Sequence, residues 1–197
     1  DLSWAGAYID GLDGADGLAG ASHVTASPDG ERVYVASPGE SAVGVFDRDA
    51  ATGKLTLAAR LSLDLSDFGV LSTLSVSPDS QTLYVGYNGG IACFDAASLT
   101  RVNQASALGL EVRAMAVSQS GEAVYVAGNG ELRRYGADLG ASPQVIGGLA
   151  GADAVRVSPD GKFVYVALGD EDAVVGFEEL GGALNPEPVQ WVREGFF

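Results

Sequence analysis

AVRVSPDGKFVYVAL, Ala154 to Leu168, occurs in three further versions: HVTASPDGERVYVAS from His23, TLSVSPDSQTLYVGY from Thr73 and AMAVSQSGEAVYVAG from Ala114. Each copy alternates side-chain character before and after a short polar break, as in Val155 and Val157 against Ala154 and Arg156, then Val164 and Val166 against Phe163 and Tyr165. A period of two is that of a β-strand, so each copy reads as strand, turn, strand. Pro159 presets φ, Asp160 can bond its own backbone, and Gly161 accepts positive φ. Gln119 replaces the proline in the third copy and Ser80 the glycine in the second, so the geometry is kept while individual letters change.

Each hairpin is followed by two more strand-like runs, making units of four strands. In the first unit these are AVGVFDRD and LTLAARLSL, and in the fourth AVVGFEE and PVQWVREG. Phe46, Phe94, Tyr135 and Phe177 recur once per unit in the third strand and are expected in the core. The turn serines at 27, 77, 118 and 158 give steps of 50, 41 and 40 residues, the length of a propeller blade. The chain is therefore expected to be an all-β β-propeller of four-stranded antiparallel blades, at approximately 22–63, 72–108, 112–149 and 153–195, within one domain spanning 1–197. An orphan outer strand at 2–9 precedes them, since Leu2 to Ala5 line up with Leu55 to Ala58 and with Val189 to Val192.

These units resemble the YVTN-type β-propeller repeats, related to the lactonase-like propeller group. The resemblance rests on YVA, YVG, YVA and YVA after S-P-D-G-like turns, and on FDRDAATGKLTL and DGLAGASHVTASPDG. It implies about seven blades in a ring, of which this chain holds four. The preferred expectation is thus part of a larger propeller, or half of a ring completed by another chain. A compact four-bladed ring and an open stack are the alternatives. The chain is expected to act as a non-catalytic binding or structural module of a bacterial surface or secreted protein, through its rim or channel mouth, with a lactonase-like hydrolase as the rival and a self-assembling unit, using the unpaired strand Leu2 to Ile9, as a third reading.

The chain has 197 residues and a net charge of −15, from 11 basic against 26 acidic side chains. That balance disfavours a nucleic-acid backbone as partner and suits a secreted or cation-binding protein, so an extracytoplasmic location is expected. No apolar run approaches the ~20 residues of a membrane span. The chain opens on Asp1 without a recognisable leader, which reads as a processed or experimentally cut end. Cys93 is the only cysteine, which excludes an internal disulfide, and it is expected as a buried small hydrophobe.

Candidate chemistry is sparse, and no nucleophile-elbow, zinc-protease, P-loop or dinucleotide signature is present. Asp10, Asp13 and Asp16 place three carboxylates at steps of three on a glycine-rich loop. They read either as a calcium site or as a solvated turn segment. His23, the single histidine, enters the inner strand of the first unit, where its equivalents are Thr73, Ala114 and Ala154. Those residues cannot complete an acid/base set, so a structural role is expected, with ligand contact at the channel mouth as the functional alternative. Arg113 and Asp153 occupy the preceding position in neighbouring units and are expected to pair. Asp170 and Asp172 belong to an acidic rim cluster that could meet a cationic partner; proteins, small molecules and self-association through unpaired end blades are the partners expected.

Overall fold

The repeated serine is what closes each hairpin. In the first unit the Gly30 N–H donates to the Ser27 carbonyl, closing the turn at 2.9 Å. The Arg32 N–H donates to Ser27 Oγ at 2.9 Å, while that hydroxyl donates to Asp29 Oδ1 at 2.5 Å and the Glu31 N–H reaches the same carboxylate oxygen at 3.0 Å. The second and fourth copies repeat this with Ser77, Asp79 and Thr82, and with Ser158, Asp160 and Phe163. In the third copy Ser120 stands in for the aspartate, its hydroxyl 3.2 Å from that of Ser118. The turn needs a left-handed residue at its fourth position, supplied by Gly30, Gly121 and Gly161 and, at φ 61°, by Ser80.

The structure is a computed structural model, and it describes residues 17–64 and 69–193. Its first sheet joins β1 (His23–Ala26), β2 (Arg32–Ser37), β3 (Ala42–Arg48) and β4 (Leu55–Ser62) in sequence order. The second holds β5 (Leu71–Val76), β6 (Thr82–Asp95) and β7 (Arg101–Glu111). The third holds β8 (Ala114–Val117), β9 (Ala123–Gly128), β10 (Glu131–Gly136) and β11 (Gln144–Ile146). The fourth holds β12 (Ala152–Val157), β13 (Phe163–Leu168), β14 (Ala173–Leu180), β15 (Ala183–Leu184) and β16 (Gln190–Arg193). Every pairing is antiparallel.

Two sheets depart from four separate strands. In the second, the middle strands run together as β6, which doubles back near Gly89, so that the Ala96 N–H donates to Gln81 O at 2.8 Å. Gly90 has no room for a side chain there, because a Cβ would lie 2.3 Å from the Ala105 carbonyl oxygen. In the fourth, the extra pair β15 folds onto Glu179 and Leu180 before β16 takes the outer position beside Ala173–Gly176. The expected orphan strand at 2–9 lies outside the described residues.

Each sheet covers its neighbour. Tyr34, Val43 and Val45 of the first pack with Leu74, Leu83 and Val85 of the second. Tyr84, Ile91 and Cys93 of the second pack with Met115, Val124 and Val126 of the third, and Tyr125 and Leu132 of the third with Val155, Val164 and Val166 of the fourth. Cys93 and the four repeated aromatics are buried as expected. The hydroxyl of Tyr84 donates across to Ala137 O at 3.0 Å, and that of Tyr125 to the Glu179 carboxylate. The first and fourth sheets leave their outer faces open, with Val24 65% and Tyr165 39% exposed, so the four blades form an arc and not a compact ring.

Candidate functional site

The innermost strands β1, β5, β8 and β12 stand side by side and wall a cavity of about 780 Å³. Residues of all four blades reach it: His23 and Thr25, Thr73 and Ser75, Arg113 and Gln119, Asp153 and Arg156. Small residues, Ala114, Ala116 and Ala154, leave this space between the polar groups. His23 Nε2 lies 3.4 Å from the buried Thr73 Oγ1, which links the first and second blades at the wall. Partial burial, and then the positive charge of Arg156, hold the imidazole below its usual range despite an opposing hydrogen bond that the ring makes to the Leu74 backbone. The ring is therefore neutral at pH 7.

Arg113 donates through Nη1 to Asp153 Oδ1 of the next blade and also lies 3.6 Å from Glu111 Oε2. The hydrogen bond to Asp153 raises the guanidinium's affinity for its proton. Gly169 makes room for that carboxylate, because a Cβ there would lie 2.4 Å from Asp153 Oδ2. Arg156 Nη1 donates to the Val155 carbonyl at 2.8 Å and contributes its charge to the cavity wall.

His23, Arg113 and Asp153 thus meet on one wall. Asp170 and Asp172 do not join it. Gly169–Glu171 is a 3-10 turn and Asp172 closes it in the left-handed region at φ 49°, which fixes both aspartates on the rim. The Gly169 N–H holds this turn to the Gly151 carbonyl at 2.7 Å. Among the described residues no group of three or more His, Cys, Asp or Glu could hold a metal ion, and Asp10, Asp13 and Asp16 lie outside the described residues. Arg156, Thr25 and Ser75 are among the wall residues that sequence reading missed. Their shared place, two residues after the His23 position in each repeat, is the signal that could have found them.

Four antiparallel sheets set around a polar channel wall define a β-propeller arc with a candidate ligand site on its axis. A family model described as lactonase, 7-bladed beta-propeller, matches residues 13–131, and the chain belongs to that family. Solved structures share the fold. The hydrazine synthase of Kuenenia stuttgartiensis aligns with TM-score 0.73 at 22% identity, over 95% of this chain and 53% of that one. A putative 6-phosphogluconolactonase from Bacteroides uniformis gives 0.72 at 13%, over 88% and 55%, and one from Bacteroides fragilis 0.70 at 16%, over 87% and 56%. The chain spans about half the length of these structures. A comparison with curated proteins finds no match.

Proposed function

We propose that this chain supplies one wall of a lactonase-type channel and hydrolyses a cyclic ester bound there. The observation that carries the reading is His23, a neutral imidazole on a water-accessible cavity with the Arg156 charge acting on it. His23 takes a proton from a water molecule as its oxygen attacks the ester carbonyl carbon. The carbonyl becomes an oxyanion, which Arg156 stabilises. The ring C–O bond then breaks and the departing alkoxide takes the proton from the imidazolium, leaving an open hydroxy acid. Arg113 is engaged by Asp153, so its part is to fix the adjoining wall. Family membership and the names of the two Bacteroides neighbours support this reading over a purely binding module.

The test is hydrolysis of gluconolactone and 6-phosphogluconolactone, followed by acid release above the spontaneous rate. His23→Gln is expected to lower kcat/KM by ~100-fold or more, within the range of a lost general base. Wild-type protein that binds these lactones without accelerating ring opening would instead establish the binding-module reading.

A further inference from the structure

One position of the inner strand breaks the pattern of the repeats. Thr25, Ser75, Ala116 and Arg156 hold the same place, each opposite the tyrosine of its own hairpin: Tyr34, Tyr84, Tyr125 and Tyr165. Three blades fold with a small neutral side chain there, so the strand does not require an arginine. The fourth sets an exposed guanidinium on the cavity instead.

The charge of that guanidinium is left open. Asp153 is the one carboxylate lining the cavity among the described residues, and Arg113 already holds it, with Glu111 3.6 Å from the same arginine. Arg156 forms no ion pair among the described residues, although the chain carries 26 acidic against 11 basic side chains. Its one hydrogen bond, from Nη1 to the Val155 carbonyl, leaves the rest of the planar fork free. Such a fork, facing water in a concavity, matches the oxygens of a carboxylate, sulfate or phosphate. Ala116 and Ala154 leave room on the same wall, and the hydroxyls of Thr25 and Ser75 line the same cavity as further donors.

We propose that Arg156 anchors a small-oxyanion site whose occupancy controls the protonation of His23. The bare guanidinium acts against an imidazolium on this cavity. A bound anion cancels that effect and adds its own attraction, so the ring takes a proton more readily. By reciprocity the protonated ring holds the anion more tightly. Arg113, Asp153 and Glu111, the other charged groups at this wall, keep their pairings with one another. The consequence for turnover rests on the lactone reading. Opening a neutral ester creates a carboxylate, the group this site binds, and product acid retained at Arg156 leaves His23 protonated and unable to act as a base.

The probe is sulfate, which stays dianionic across the titration of histidine. The His23 ring is followed by proton NMR in sodium sulfate and in sodium chloride of equal ionic strength, because screening alone weakens the Arg156 charge. Sulfate is expected to raise the His23 midpoint above its value in chloride, through a ~5-fold tighter hold by the protonated ring. Arg156→Gln is expected to abolish the difference and Arg156→Lys to keep part of it. Sodium gluconate in place of sulfate is expected to give the same rise, and a response to sulfate alone would overturn the retention of product. Equal midpoints in sulfate and chloride, or a rise that survives Arg156→Gln, overturn the site itself. Lactone hydrolysis measured in the same solutions keeps the two readings apart. A midpoint response without hydrolysis upholds the anion site and removes the lactone reading, and hydrolysis without a midpoint response does the reverse.

Discussion

His23 is the only histidine, so its titration can be followed by proton NMR without assignment. The expected midpoint lies below 6.5, and Arg156→Gln is expected to raise it while burial still holds it under the ordinary value. A midpoint that Arg156→Gln leaves in place would remove Arg156 from the site's electrostatics. The sign for stability follows from linkage: on acidification the unfolded chain protonates this ring first, so His23 lowers stability as pH falls from 6.5 toward its folded value. A second residue-scale prediction concerns Ser80, a non-glycine at φ 61°. Ser80→Gly relieves a left-handed conformation worth ~1 kcal/mol and loses an exposed hydrogen bond from the Asp29 N–H worth less. A net rise in stability of up to ~1 kcal/mol is expected in urea unfolding. His23, Arg113 and Asp153 were legible as channel-mouth residues because the repeat assigns each a place. Their grouping with Arg156 was not, since it depends on how closely four blades approach.

At the scale of the hairpin, serine and aspartate act together. Ser77 is buried, and its hydroxyl both accepts from Thr82 N–H and donates to Asp79, so Ser77→Ala strips a partly buried N–H of its acceptor. A cost of ~1–2 kcal/mol is expected in chemical denaturation, against little for the exposed Ser98→Ala. Asp29, Asp79 and Asp160 are held below the usual carboxylate range, first by the serine hydroxyl and then by the backbone N–H two residues on. Depressed carboxylates stabilise the fold above their unfolded value near 3.8, and that stabilisation is lost as pH falls through their folded values. Thermal melting should accordingly drop below about pH 4, and the triple change of Asp29, Asp79 and Asp160 to Asn should flatten that drop. The third hairpin, with Ser120 in place of aspartate, contributes nothing to it. These turns were readable from S-P-D-G alone because their bonds span only a few residues. The merging of two strands into β6 and the added β15 pair were not, since both depend on which neighbouring strand claims a glycine-containing segment.

For the molecule as a whole, the cavity is walled by the inner strands of all four blades, so a residue of the fourth blade should act on a reaction held by His23 of the first. Arg156→Gln is expected to lower kcat/KM for lactone opening by ~100-fold, with the urea unfolding midpoint near that of the unchanged chain. Equal kcat/KM in the two proteins would remove Arg156 from the proposed reaction. Among the described residues no helix is long and apolar enough to cross a membrane.

The sequence by itself determined the blade: strand period, turn chemistry and the repeated tyrosine are local or periodic, and local bonds and alternation leave their mark in letters. It also determined that blades stack, since each sheet shows two apolar faces. Arg113 and Asp153 could be paired from their places in neighbouring repeats, but only the tertiary structure decided that the Arg156 charge acts on His23 and that His23 meets Thr73. It alone set the rim turn holding Asp170 and Asp172 apart from His23, and left the Tyr165 and Val24 faces open. Those outcomes depend on the angle and distance between sheets, which sum over many side-chain contacts and are written in no single segment.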